Sequence, residues 1–138
     1  MRQEKAIEVT NSNNNKSIEI EELKLNLEKQ IATAIWIKTI GQVIEVISLS
    51  KLLSISEESD SYGDKHIVSG VWIQTIGQLL EAIGISQQIS TTNKESIIEA
   101  QKVLITGDWL QSFGTALEAI GGTEVLQEEQ VGVTHFVP

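Results

Sequence analysis

Residues 72–84 read WIQTIGQLLEAIG, and the same thirteen-residue design stands at 36–48 as WIKTIGQVIEVIS and at 109–121 as WLQSFGTALEAIG. The shared pattern is W-x-x-[TS]-x-G-x-x-[IL]-E-x-I-[SG], with tryptophans 36 and then 37 residues apart. Recurrence at a fixed period points to three copies of one structural unit. In the first copy the apolar residues are Trp36, Ile37, Ile40, Val43, Ile44 and Ile47. That spacing of three and four is the signature of an amphipathic helix, not of a strand, whose side chains alternate. The pattern predicts that each copy is helical, with its apolar arc forming the core.

Two further stripes accompany the arc. Small residues recur every seven positions as Ala34, Gly41 and Ser48, then Gly70, Gly77 and Gly84, then Gly107, Gly114 and Gly121. A polar stripe runs through Lys38, Gln42 and Glu45, through Gln74, Gln78 and Glu81, and through Gln111, Thr115 and Glu118, and is expected to face water. Glycine inside a helix costs on the order of 1 kcal/mol relative to alanine, so Gly41, Gly77 and Gly114 need a compensating role. The first choice is close helix approach, with a tryptophan of an adjacent copy packed over the glycine groove. The other is a kink, above all at Gly70 and Gly107, each preceded by a hydroxyl residue.

Working outward, SIEIEELKLNLEKQIATAI precedes the first copy and predicts a first helix from about Ser17 to Leu53. Tyr62-Gly63-Asp64 reads as loop punctuation, so the second helix starts near Asp64. Thr92-x-x-Glu95 forms a capping box ahead of Ile97 and Ile98, which starts the third helix near Asn93; Gly121-Gly122 is its expected stop. The chain thus divides into an N-terminal flexible arm at 1–16, one helical repeat domain at 17–122 (copies about 17–53, 54–90 and 91–122) and a C-terminal tail at 123–138. The fold class is all-α, an antiparallel bundle of about three long helices, since short connections make consecutive helices antiparallel neighbours. A tetratricopeptide-like solenoid has a similar period, but its tryptophan, glycine and tyrosine spacing and its proline are missing here.

Composition narrows the function. The 138 residues suffice for one domain with a core, and 41% hydrophobic against 21% charged residues is a globular balance. No cysteine is present, which removes disulfides, thiolate metal sites and cysteine nucleophiles, and two histidines leave little for a metal or relay site. A net charge of −9 opposes binding to a phosphate backbone, so no nucleic-acid partner is expected. Residues 67–86 are long enough to span a bilayer and carry one charge, Glu81. The corresponding runs hold Lys38, Asp108 and several glutamines, and basic flanks are lacking, which weighs against spanning. The opening residues lack the apolar stretch of a secretory signal, and a cytoplasmic location is expected.

The threefold pattern carried by Trp36, Trp72, Trp109, Gly41, Gly77, Gly114, Glu45, Glu81 and Glu118 resembles the repetitive small helical proteins of spore-forming Gram-positive bacteria. The resemblance covers roughly residues 30–122. It implies a bacterial, intracellular protein and contributes no catalytic residue.

Those nine residues are also the candidates for structure or interaction. The tryptophans read as core wedges or, alternatively, as an aromatic binding surface. The glutamates read as a solvated face or lysine partners; the rival reading, a carboxylate site between helices, normally calls for Glu-x-x-His, and neither His66 nor His135 stands in that relation to them. Glu57, Glu58, Asp60 and Asp64 lack the ligand spacing of a calcium loop. No phosphate loop, nucleophile elbow or zinc-protease motif occurs. The expectation is a non-enzymatic helical interaction or structural protein without cofactor, which associates with itself or another protein. A membrane-associated helical protein is the alternative, and a small-molecule-binding bundle near Glu45, Glu81 and Glu118 comes third.

Overall fold

The computed structural model describes residues 1–56 and 61–134. Three helices account for nearly all of them: α1 (Arg2–Ile55), α2 (Tyr62–Ser90) and α3 (Lys94–Thr134). Each W-x-x-[TS]-x-G segment lies within a single helix, and consecutive helices run antiparallel. The helix α2 is central. It packs on α1 along one side and on α3 along the other, while α1 and α3 do not pack on each other.

Helix starts follow side-chain chemistry. Ser61 caps α2 by accepting a hydrogen bond from the Asp64 amide at 3.4 Å. At α3 the cap is Asn93, one residue beyond the expected Thr92: its Oδ1 accepts from the amides of Glu95 (2.9 Å) and Ser96 (3.3 Å). The asparagine carbonyl, next to the helix, reaches these orphan donors directly.

Helix ends depart further from the sequence reading. Residues 2–16 of the stretch expected as an arm belong to α1, which runs for 54 residues and overhangs the 29-residue α2 by several turns. Likewise α3 continues through Gly121-Gly122 to Thr134, so the expected stop is helical and residues 123–134 extend the helix. Tertiary contacts beyond Gly121 explain this: Glu124 reaches His66 of α2 at 2.6 Å, and Glu128 accepts from Ser61 Oγ at 2.7 Å. The remaining tail, with His135, lies outside the described residues, as do Glu57, Glu58 and Asp60.

The interior is built from small and polar side chains. Among the described residues only Val46, Val71, Ala82 and Ala100 are buried hydrophobics, beside buried Thr39, Thr75 and Gln78. On α1 the positions that turn inward, Ala32, Ile35, Thr39, Gln42, Val46, Leu49 and Leu53, step by three and four residues. This is the seam spacing of an antiparallel coiled coil. The expected apolar core is therefore overturned. The covered sides are the small-residue and hydroxyl sides of the helices, and the isoleucine-rich arcs are left outside.

Candidate functional site: two joints, a polar seam and an uncovered apolar face

Helices α2 and α3 meet along their glycines. A Cβ added to Gly70 would lie 2.6 Å from the Gly114 carbonyl oxygen, and one added to Gly114 would lie 2.5 Å from that of Gly70. Gly77 and Gly107 oppose each other in the same way at 2.6 Å, Gly63 faces Gly121, and Gly84 faces the Ala100 carbonyl at 3.0 Å. Backbone packs on backbone, closer than any side chain permits, and this offsets the helix-propensity cost of the glycines. The expected tryptophan lid over the groove does not form. Gly41 is the exception within the pattern: nothing lies within 4 Å of the position a Cβ would take.

The joint between α1 and α2 uses a different side of each helix. Trp36 Nε1 donates to Ser86 Oγ at 2.9 Å, and Trp72 Nε1 donates to Ser50 Oγ at 3.1 Å. The two bonds are reciprocal, because Trp72 and Ser86 stand 36 residues after Trp36 and Ser50. Each serine in turn donates to the carbonyl four residues earlier, Ser50 to Val46 and Ser86 to Ala82, both at 2.7 Å, which leaves its oxygen free to accept. Between them lie buried Thr39 and Thr75, donating to the Ile35 and Val71 carbonyls. The indoles are thus edge clamps rather than core wedges: Trp36, Trp72 and Trp109 are 41%, 46% and 74% exposed.

The polar stripes converge on one side of the three-helix row. Gln42 Nε2 donates to Gln74 Oε1 (3.0 Å), and Gln74 Nε2 donates to Thr115 Oγ1 (2.8 Å), which links α1, α2 and α3. Below this chain the Glu81 carboxylate accepts from Gln78 Nε2 (3.0 Å) and Gln111 Nε2 (2.8 Å), with Lys38 Nζ 3.9 Å away. Lys38 also donates to Gln111 Oε1 at 3.1 Å, which makes it the side chain through which α1 reaches α3. Far from facing water, Gln78 is completely buried, with its Oε1 left unpaired. Asp108 borders the seam, and desolvation, followed by repulsion from Glu81 and partly offset by Lys38, raises its carboxyl above the ordinary value.

Among the nine sequence candidates, Glu81 enters this seam, Glu118 is half-buried with its backbone against Gly70, and Glu45 is exposed. The three are not brought together, and the described residues hold no cluster of three metal-binding side chains. Sequence reasoning passed over Thr39, Thr75, Ser50 and Ser86. Their signal was recurrence itself: hydroxyls three and fourteen residues after each tryptophan.

About 160° around each helix from the glutamines, on the far side of the row, lie Ile40, Ile76 and Phe113. With Ile47, Ile83, Ile120 and the tryptophans they form an apolar face, and Phe113 is 69% exposed. The accessible surface of the chain is 10395 Å². A compact 15.2 kDa monomer exposes about 7,100 Å², so this chain exposes nearly half as much again. Comparison with known proteins finds no matching family, no matching curated sequence and no matching solved structure.

Proposed function

We propose that this chain is a non-enzymatic structural or interaction protein of the cytoplasm whose protomer associates with further copies of itself and thereby covers its apolar face. The supporting observation is that face: large aliphatic and aromatic side chains on all three helices are exposed on one side of the row, while glycines, Thr39, Thr75 and Gln78 fill the joints. Patches of this extent mark interaction surfaces on soluble proteins. The reading assigns the long helices a scaffolding role and Glu81 a structural one, as the acceptor that joins the seam.

Size-exclusion chromatography with light scattering over a hundredfold concentration range tests it. An oligomer is expected, and charges in the middle of the face, Ile76→Glu with Phe113→Glu, are expected to shift it toward a smaller species. A wild-type monomer throughout the range overturns the proposal.

One observation favours a second reading, association with a membrane. Gln3–Ile55 and Tyr62–Ser90 each contain a stretch long and apolar enough to cross a bilayer by length and composition. Against it stand the net charge of −9, which an anionic leaflet repels, and the Lys38–Glu81 pair within the seam. Flotation with neutral and with anionic vesicles decides between the two: protein recovered at the bottom of the gradient with both supports self-association.

A further inference from the structure

The third helix carries the parts of the α1–α2 joint without a helix to use them on. Carried forward by the spacing of the tryptophans, Thr39 and Thr75 correspond to Ser112, Val46 and Ala82 to Ala119, and Ser50 and Ser86 to Thr123. Local bonding on α3 is the same: Ser112 Oγ donates to the Asp108 carbonyl and Thr123 Oγ1 to the Ala119 carbonyl, each at 2.9 Å. Thr123 thus keeps an oxygen free to accept, as Ser50 and Ser86 do. Trp109 supplies the donor, yet it is the most exposed of the three tryptophans, and among the described residues its indole has no hydrogen-bond partner. Thr39 and Thr75 are each 2% exposed within their joint, whereas Ser112 lies open.

The α1–α2 joint also tells what this edge fits. It is a face pairing with its own counterpart, antiparallel, with Trp36 opposite Ser86 and Ser50 opposite Trp72, so that the register places Val43 opposite Leu79. A face that pairs with its own equivalent is the requirement for a twofold interface between identical chains. We propose that the free edge of α3 binds the same edge of a second copy of this chain by this joint, with Trp109 of each copy donating to Thr123 of the other. In that register Ala116 meets Ala116 on the twofold axis. Six helices then form one row, and the apolar faces of the two copies continue on the same side. The edge is thus a second contact between copies, separate from the apolar face, and this inference rests on the self-association proposed above for the identity of the partner.

The opposite edge of the row does not extend in the same manner. On α1 the stripe that corresponds to Gly63, Gly70 and Gly77 is Leu27, Ala34 and Gly41. In the α2–α3 register Ala34 would oppose a Gly41, and its Cβ would fall where the glycine pairs leave only about 2.6 Å to the facing carbonyl. Edge pairing therefore closes at two copies.

The chain has no cysteine, so single cysteines report position directly. Under mild oxidation Ala116→Cys is expected to give a disulfide-linked dimer, while Ser48→Cys, on the outer edge of α1, stays unlinked. Ser112→Glu, which sets two carboxylates into the joint, should weaken the dimer at least roughly tenfold by light scattering, with helical content unchanged because Ser112 is exposed within the protomer. A wild-type oligomer in which Ala116→Cys does not crosslink and Ser112→Glu has no effect overturns the edge while leaving self-association through the apolar face intact. Preferential crosslinking of Ser48→Cys overturns it in favour of the α1 edge. A wild-type monomer at every concentration removes both proposals.

Discussion

Gly41 and Gly77 occupy the same place in two nearly identical segments, WIKTIGQ and WIQTIGQ, yet replacing each by alanine is expected to change stability in opposite directions. Alanine improves helix propensity by about 0.8–1 kcal/mol at an interior position. At Gly41 nothing opposes the gain, because the space the Cβ would enter is open to 4 Å. Gly41→Ala should therefore stabilise by up to about 1 kcal/mol, or about 4 °C in Tm for a chain of this size. At Gly77 the new Cβ would lie 2.6 Å from the Gly107 carbonyl oxygen and 2.7 Å from the Gln111 amide nitrogen. Both are backbone atoms and cannot swing aside, so α2 and α3 must separate by about 0.8 Å to reach ordinary contact at about 3.4 Å. That movement also loosens the pairs at Gly70 and Gly84 on either side. Overpacking of this kind costs about 1–3 kcal/mol or more, which exceeds the propensity gain. Gly77→Ala should destabilise by about 1–2 kcal/mol net, and Gly77→Leu by more. Urea denaturation of the full chain, followed by circular dichroism at one protein concentration, measures both variants. If Gly77→Ala stabilises as Gly41→Ala does, the glycine joint is not a close contact.

Other parts of the fold can be tested more briefly. Gln78→Ala should cost about 1–3 kcal/mol by chemical denaturation, since it empties a fully buried site, whereas Gln78→Met keeps the volume, removes the unpaired Oε1 and should stay within about 1 kcal/mol of wild type. Ser86→Ala removes the acceptor of the Trp36 indole at a partly exposed edge; a loss of about 0.5–1 kcal/mol and a shift in tryptophan emission are expected. Asp108 has a raised carboxyl in the folded chain, so the native state holds its proton to higher pH than the unfolded state does. Its contribution to stability therefore falls as pH rises from 3.8 toward the folded value. Asp108→Asn should remove that decline, which unfolding curves at pH 3.5, 5 and 7 will show as a flatter profile than wild type.

Much of the architecture was legible in the sequence. Three- and four-residue spacing identified helices around Trp36, Trp72 and Trp109, but Tyr62-Gly63-Asp64, read as a loop, is the first turn of α2 behind the Ser61 cap, and Asn93 rather than Thr92 caps α3. The sevenfold stripe of small residues was readable as a site of close approach, and its partner was not. A glycine groove admits an indole or another backbone equally well, and only the pairing of Gly63, Gly70, Gly77 and Gly84 with Gly121, Gly114, Gly107 and Ala100 settles which. Helix ends were misjudged wherever distant residues decided them. Gly121-Gly122 is a good stop in isolation, but Gly121 is held against Gly63 and Ile67, and the turns beyond it are tied to α2 by Glu124 and Glu128.

The amino-acid order alone determined the helices, because periodicity and capping are local properties of consecutive residues. It also determined which side chains share a side of each helix, since that follows from about 100° per residue. Tertiary structure decided which of those sides meets a neighbour. Equivalent stripes have unequal fates: Gly77 lies against backbone and Gly41 against nothing, while Ser86 is bonded to an indole and Thr123 is exposed. The physical reason is that α2 has a helix on both flanks while α1 and α3 have one each, and a neighbour's presence is encoded by no residue of the stripe itself. The same cause turned the polar stripe inward: once small residues draw the backbones together, the glutamines beside them are enclosed, and the bulky isoleucines, too large for so narrow a joint, remain outside.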